Sequence, residues 1–481
     1  MKINRREMLK TSAGAIGGIV LGGNSVRAFG NTPPPLGSSD PSQRNSFYDA
    51  LPIFPLGETL DPEEIRITFF GTSCIPRLSQ ECTSVFIEVG SGDQFVFDCG
   101  SGVVSKYNAM GILMSKMDKI FFTHLHCDHT SDLTHIYCFG ASQDRKSPLF
   151  IWGPSDSNFT WYDPDGYPRG PFLDGVTTFC QHFREMNRWH TESFSFQPTA
   201  WSNNKLPTQA QWGLKKPLQK VGDDPDTDGY AIYPIEMDWQ AYGQVPGDNI
   251  AYQNPDTGVT IRHFPAIHCR EGSVSFRLEW KDFSIVFSGD TKPNTHMLHH
   301  ASGADVVIHE MVMPAQTWAE KNSGLKPGDP GYQQSYNLAL EVQNSSHTPQ
   351  NAFGFIMSQL SPPPRLMVAT HFQAQDDTIQ SALRSVRNHS PVGELTFAAD
   401  LMVINVSKTK IIQRRAIVSD YAFLPFLPQP LPPAGDPIYW KWGDDAHTYK
   451  VPDATAQLDM SSDIPPIDPV TGKMNYNPDG F

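Results

Sequence analysis

The segment Thr123-His124-Leu125-His126-Cys127-Asp128-His129-Thr130 constrains this 481-residue chain more than any other. Three imidazoles and a carboxylate fall within six positions, directly after the short apolar run Ile120 to Thr123, which reads as a β-strand. A loop leaving a strand can turn alternate side chains toward one point. His and Asp are donors that Zn²⁺, Mn²⁺ and iron accept, and a metal with an open coordination position can activate water. At this chain's own His and Asp frequencies such a string arises by chance in roughly one chain of this length in a thousand. A lone histidine is ordinarily structural; this cluster is expected to bind metal.

A metal loop needs a sheet behind it, and the flanking sequence supplies strands. Ile65 to Phe70, Ser84 to Val89 and Gln94 to Asp98 mix β-branched and aromatic residues between glycines and polar breaks. A second block covers Val259 to His263, Ser273 to Trp280, Ser284 to Ser288 and Val306 to His309. A helix is expected near Leu338 to Leu360, then strands over Leu366 to Thr370 and Leu401 to Val406. Strands interleaved with helices, each ending at a His or Asp, predict a layered α/β or α+β sandwich over 63–412, with its site on the loops at one edge. Residues 141–258 break the pattern. They are loop-rich and hold Trp152, Trp161, Trp189, Trp201, Trp212 and Trp239, six of the ten tryptophans. This stretch reads as an inserted cap, or as tryptophans packing an insertion onto itself. Residues 29–62, rich in Pro, Gly, Ser and Asn, read as a linker or surface arm. Residues 413–481 read as a Pro-rich C-terminal extension lying on the surface.

At 39% hydrophobic and 18% charged residues the chain is neither disordered nor embedded in a membrane. Its net charge of −14 repels phosphate backbones, so no nucleic acid is expected as a partner. The N-terminus has the three parts of a secretory signal: Asn4-Arg5-Arg6-Glu7-Met8-Leu9-Lys10, a Gly-rich apolar run from Thr11 to Gly23, and Val26-Arg27-Ala28. Its paired arginines resemble the twin-arginine export signal. That resemblance implies removal of residues 1–28, passage through the twin-arginine translocation machinery, and a periplasmic or secreted product. The run is too short and too Gly-rich for a membrane span. Seven cysteines without CxxC spacing make neither a zinc ribbon nor a disulfide scaffold, although Cys74 and Cys82 could pair after export.

The His124 to His129 string resembles that of the metallo-β-lactamase superfamily, in the branch containing ribonuclease Z and related phosphodiesterases and arylsulfatases. The resemblance implies an αββα sandwich, an α/β fold here carrying a large inserted cap, and two divalent ions, with zinc favoured over manganese or iron. His124 and His126 would then hold the first ion, and Asp128 and His129 the second. His268, in Phe264-Pro265-Ala266-Ile267-His268, matches the third histidine of the first ion, with His263 as a nearby competitor. Asp290, in Ser288-Gly289-Asp290-Thr291, matches the bridging aspartate, and His371, in Ala369-Thr370-His371-Phe372, matches the last histidine on the second ion. Phe70-Gly71-Thr72 with Phe97-Asp98-Cys99-Gly100 is similar to the opening hairpin whose Asp-Cys-Gly turn supports the metal loop. Ile308-His309-Glu310 resembles a supporting His-Glu segment. Ser346-His347-Thr348-Pro349 resembles the histidine motif that donates a proton. Ser101 stands where ribonuclease Z has a glutamate, and 139 positions separate His268 from His129, so the insertion replaces whatever shapes the usual substrate mouth.

The implied activity is hydrolysis of a small ester, a phosphodiester or sulfate ester foremost, through a hydroxide shared by the two ions. Asp128 would orient that hydroxide and take its proton, and His347 would protonate the leaving group. The alternatives are an iron-dependent redox enzyme of the same fold and a metal-bearing protein that docks into a complex. Processing of tRNA is disfavoured by the acidic charge, the export signal and the absence of a recognisable tRNA arm.

Overall fold

The computed structural model describes residues 46–419 apart from 144, 146, 194–205, 223–228, 244–248 and 375. The signal-like segment 1–28, the first half of the arm, Trp201 and the tail beyond 419 lie outside the described residues. Among the described residues, no helix is long and apolar enough to cross a membrane.

Two sheets form the centre. One has nine strands, ordered β1 (Ile53–Phe54), β18 (Ile411–Ala416), β17 (Met402–Val406), β2 (Ile65–Gly71), β3 (Ser84–Val89), β4 (Gln94–Phe97), β5 (Lys119–Phe121), β6 (Leu149–Pro154) and β9 (Ile232–Met237). The other has seven: β10 (Ile250–Asn254), β11 (Val259–Pro265), β12 (Val274–Trp280), β13 (Phe283–Phe287), β14 (Val306–Glu310), β15 (Leu366–Thr370) and β16 (Leu395–Phe397). A separate hairpin pairs β7 (Trp161–Tyr162) with β8 (Pro168–Arg169).

Two-residue periodicity sorts the side chains into layers. Ile65, Ile67 and Phe69 of β2 and Val85, Ile87 and Val89 of β3 share one core with Ile285 and Phe287 of β13 and Val306 and Ile308 of β14. The alternate residues face outward to helices. Phe70, Phe86 and Val96 pack with helices Val103–Ala109 and Leu133–Ser142. On the opposite side Val286, Val307 and Met367 pack with helices Gln350–Gln359 and Asp376–Arg387. The result is an αββα sandwich. Rings join the sheets directly, with Phe97 5.6 Å from Phe276 and 5.8 Å from Phe287. β4, β5, β6 and β9 run parallel, as do β13 to β16, so each parallel set delivers its outgoing loops to one edge.

Three expectations need correction. The supposed insertion 141–258 contributes β6, β9 and β10 to the sandwich itself, and Trp152 is fully buried with its ring stacked 4.3 Å from Phe121. What stands outside the sheets is the stretch between β6 and β9. The arm drawn over 29–62 contains β1, which pairs parallel with β18, and β18 itself crosses the boundary drawn after residue 412. The helix expected over 338–360 is two helices, Tyr332–Ser346 and Gln350–Gln359, parted at His347-Thr348-Pro349. Proline disfavours the helical region for the residue before it and has no N–H to continue the ladder. Pro349 thus keeps Thr348 out of the helical region, and the first helix ends at Ser346 with His347 in extended backbone, φ −132° and ψ 174°.

Candidate metal centre

Loops leaving β5, β11, β13 and β15, together with the helix break at His347, converge at one edge of the sandwich. Crowding there dictates backbone choices. Gly289 has φ 57°, and a Cβ on it would lie 2.5 Å from Thr123 Cβ, so glycine lets the β13 loop cross the β5 loop. Asp98 and His371 hold φ 56° and 55° without being glycines. Each such position costs on the order of 1–3 kcal/mol and persists only where its surroundings overdetermine it.

The convergence brings together all seven metal-ligand candidates. His126 Nδ1 lies 3.0 Å from His124 Nε2 and 3.3 Å from His268 Nε2, forming one group of donors. Asp128, His129, Asp290 and His371 form the other: His129 Nε2 and His371 Nε2 are each 3.5 Å from Asp128 Oδ2 and 3.3 Å from Asp290 Oδ1. Asp290 faces both groups, because its Oδ2 lies 3.9 Å from His124 Nε2 and 3.8 Å from His268 Nε2. His347 Nδ1 is 3.9 Å from that same oxygen. His263, the competitor for His268, is buried on β11 and lines a cavity of about 380 Å³ with Lys216, Lys220 and Glu236, outside both donor groups.

Outer partners fix which ring nitrogen faces inward. Asp98 Oδ2 lies 2.8 Å from His129 Nδ1, while its two oxygens accept the N–H and hydroxyl of Thr123, each at 2.9 Å. The Nδ1–H of His129 therefore points outward, which leaves Nε2 as the atom that would ligate. Ser346 O does the same for His268, 2.8 Å from its Nδ1. Glu310, fully buried, accepts the Thr291 N–H and lies 2.9 Å from His347 Nδ1. Burial pushes His124 well below the ordinary imidazole value and His268 down to about 3, keeping both in the neutral form that ligates. For His129, burial is outweighed by the Asp290, Asp128 and Asp98 carboxylates, which raise it well above that value. Burial likewise opposes ionisation of Asp290, but the facing His371 and His129 hold it well below the carboxylate range.

Residues of this kind fit divalent metal. His129 Nε2 and Asp290 Oδ1 are buried without a hydrogen-bond partner while facing each other, and buried carboxylates at this density call for a cation. Three imidazoles on one side and two imidazoles with two carboxylates on the other are donor sets suited to zinc, manganese or iron.

Sequence patterning had not exposed the supports of His371. Phe372 N–H donates to Thr72 O (3.1 Å), and Gln80 Nε2 donates to Phe372 O (3.1 Å) and Thr72 Oγ1 (2.8 Å). Thr72 in turn donates to Asp400 Oδ1 at 2.6 Å. Cys269 Sγ lies 3.5 Å from His126 Nε2, the ring nitrogen that faces away from the donor group. All seven cysteines are free thiols; Cys74 and Cys82 are adjacent through a 3.6 Å contact of Cys82 Sγ with Cys74 O, not a disulfide.

Residues 65–157 match the family model described as "Anti-Pycsar protein Apyc1". A ribonuclease Z of Methanothermobacter thermautotrophicus is 35% identical over 356 residues, which cover 71% of this chain and 97% of that one. A ribonuclease BN of Escherichia coli is 23% identical over 351 residues, 71% of this chain and all of that one. Among solved structures, the short form of human tRNase Z aligns over 70% of this chain and 98% of its own, at 19% identity and a TM-score of 0.42. With its αββα sandwich, its donor set and a full-length relative at 35% identity, the chain belongs to the ribonuclease Z family of the metallo-β-lactamase superfamily, metal-dependent hydrolases of ester bonds.

Proposed function

We propose that this protein hydrolyses a small phosphodiester outside the cytoplasm, with two divalent ions, zinc foremost, held by His124, His126, His268 and Asp290 and by Asp128, His129, His371 and Asp290. The observation that carries the reading is the placement of Asp290, one oxygen toward each donor group. Bound metals would supply an activated water at neutral pH and neutralise charge gathering on the scissile group.

The chain's own groups would handle the protons. Asp128 Oδ2, held between two imidazoles, would orient the attacking water and accept its proton. Burial disfavours a charged His347, but Glu310 outweighs it and pushes the ring up to about 9. At neutral pH the imidazolium keeps its Nδ1 proton on Glu310 and has an Nε2 proton to give the leaving oxygen. A phosphodiester is favoured over a sulfate ester because the 35%-identical relative is named a ribonuclease. The same name supports a second reading, cleavage of RNA, against which the net charge of −14 weighs.

The test is metal content by mass spectrometry, paired with hydrolysis of bis(p-nitrophenyl) phosphate, p-nitrophenyl sulfate and a short RNA, with Asp290→Ala as control. About two zinc or manganese ions per chain and phosphodiester turnover lost in the variant are expected. Iron, or no turnover on any ester, would move the protein to a redox or binding role. Export rests on the Arg5-Arg6 segment, so replacing both residues by lysine is expected to retain the protein in the cytoplasm.

A further inference from the structure

An imidazole that binds an ion through one nitrogen is oriented by what its other nitrogen meets. Three of the ligand candidates have an oxygen there: Thr123 Oγ1 lies 3.1 Å from His124 Nδ1, Asp98 Oδ2 2.8 Å from His129 Nδ1, and Ser346 O 2.8 Å from His268 Nδ1. His126 is different. It is the exposed member of the centre, so packing does little to fix its ring. It also presents Nδ1 to the other donors, 3.0 Å from His124 Nε2 and 3.3 Å from His268 Nε2. Among the described residues its Nε2 meets one polar group, the thiol of Cys269, 3.5 Å away.

The loop under that thiol is pinned on both sides. Before it, the Ile267 N–H donates to Thr291 Oγ1 (3.0 Å), Ile267 O accepts the Lys292 N–H (2.7 Å), and His268 is tied to Ser346 O. After it, Arg270 forms an ion pair with Asp174, and its guanidinium lies 5.4 Å from the centre of the Phe172 ring. The position of the sulfur matters because a neutral imidazole carries one proton, on either nitrogen, and its lone pair sits on the other. With the proton on Nδ1, His126 would donate it toward His124 Nε2 and have no lone pair left for an ion. A sulfur facing Nε2 favours the opposite tautomer, N–H outward and lone pair inward.

We propose that Cys269 is a positioning residue for His126: its sulfur accepts the Nε2–H and so keeps the Nδ1 lone pair turned toward His124 and His268. The loop after β11 then does two things for the same ion, supplying His268 as one donor and Cys269 as the support of another. The inference rests on the metal-centre reading and gives the cysteine the part of a hydrogen-bond acceptor, neither a nucleophile nor an ion ligand. Sulfur accepts a hydrogen bond more weakly than oxygen, so His126 has the weakest outer support of these four rings.

Two measurements test this on the full-length protein. The first is zinc affinity by competition with a chromophoric chelator. Cys269→Ala is expected to weaken the ion held by His124, His126 and His268 about tenfold, the low end for loss of a ligand's outer partner, and to leave the other ion unchanged. Cys269→Ser keeps an acceptor in place and should restore most of that affinity. The second needs no metal: imidazole ¹⁵N–¹H correlation spectra of the metal-free protein at mildly alkaline pH. The Nε2–H form of His126 should dominate in the parent and in Cys269→Ser, and give way to a mixture with the Nδ1–H form in Cys269→Ala. An unchanged tautomer with unchanged zinc affinity in Cys269→Ala overturns the proposal, and so does an equal loss in the alanine and serine variants, which would leave only packing. A thiolate-to-cobalt charge-transfer band in the cobalt-loaded parent, abolished in Cys269→Ala, also overturns it by making the sulfur an ion ligand. If the parent binds no metal while the tautomer still depends on Cys269, the metal-centre reading falls and the positioning role stands.

Discussion

His371 is held in left-handed backbone by residues that touch no metal, and Gln80→Leu tests whether that hold matters. Gln80 is buried, and its amide is the clamp: it donates to Phe372 O and to Thr72 Oγ1, while its carbonyl accepts Arg77. Leucine fills nearly the same volume but satisfies neither acceptor. Without the Gln80 amide, Phe372 O keeps only the Ala374 N–H and Thr72 Oγ1 loses its donor, a cost on the order of 1 kcal/mol. The backbone can avoid that cost only by moving, and relaxation of His371 from φ 55° gains a further 1–3 kcal/mol or so. Two driving forces of the same sign therefore swing His371 Nε2 away from Asp290 Oδ1 and Asp128 Oδ2. Loss of such an outer-shell partner typically weakens metal affinity about 10–100-fold, and the weakening should fall on the group containing His371, since His124, His126 and His268 share none of these bonds. Competition titration with a chromophoric chelator resolves the two sites, and a melt of the metal-free protein reports the loss of packing. If both sites weaken equally, or neither does while the metal-free protein loses stability, the clamp supports the fold alone and the reasoning fails.

Two further substitutions separate support from ligation and from simple stability. Asp98→Asn puts an NH₂ group against either Thr123 N–H or His129 Nδ1–H; the second outcome drives the His129 proton to Nε2, where a ligand lone pair is needed. Metal content should drop on the order of a hundredfold in affinity with the αββα circular dichroism retained, and wild-type metal content would refute it. Glu58→Gln probes the edge where β18 meets β1. Hydrogen bonds from Arg414 hold the Glu58 carboxyl below its usual range, so the pair stabilises the native state above the ordinary carboxylate value and ceases to as pH falls through the lowered folded value. Because Glu58 is about one-third exposed, the expected loss at pH 7 is only a few tenths to about 1 kcal/mol. Urea melts of variant and parent should converge as the pH falls below the ordinary carboxylate range; a constant gap at all pH values would show that the charge is irrelevant.

Which parts of this centre could be read in the sequence follows from how local their causes are. Metal chemistry accepts few donor types, and those donors sit where strands end, so His124 to His129, Asp290 and His371 stand out against a background in which histidine is rare. The break that frees His347 is equally local, written in Pro349. The supports are different. Gln80, Thr72 and Asp400 are ordinary residues whose roles exist only after chain segments about 300 positions apart meet, and no spacing rule reaches that far. The same holds for the sheets. β6 and β9 are buried parallel strands, and a short apolar run inside a loop-rich stretch carries no alternation to betray it.

Tryptophan makes the point at the level of single residues. Trp152 and Trp161 lie nine positions apart in the same aromatic-rich stretch, yet one is fully buried against Phe121 and the other, in the β7–β8 hairpin, keeps 38% of its surface exposed. What separates them is tertiary. Trp152 follows β5 into the sheet, paired with Phe121 across it, whereas Trp161 lies past the last residue of β6, on a segment that returns only at β9. Loops between fixed strands tolerate change without disturbing the core, and the strands around this one place the donors. Divergence in substrate among relatives that share the ligand string is therefore expected to concentrate in the loops between Pro154 and Ile232, such as the β7–β8 hairpin, rather than in the helix Val176–Met186, whose Val176, Cys180 and Phe183 pack into the core.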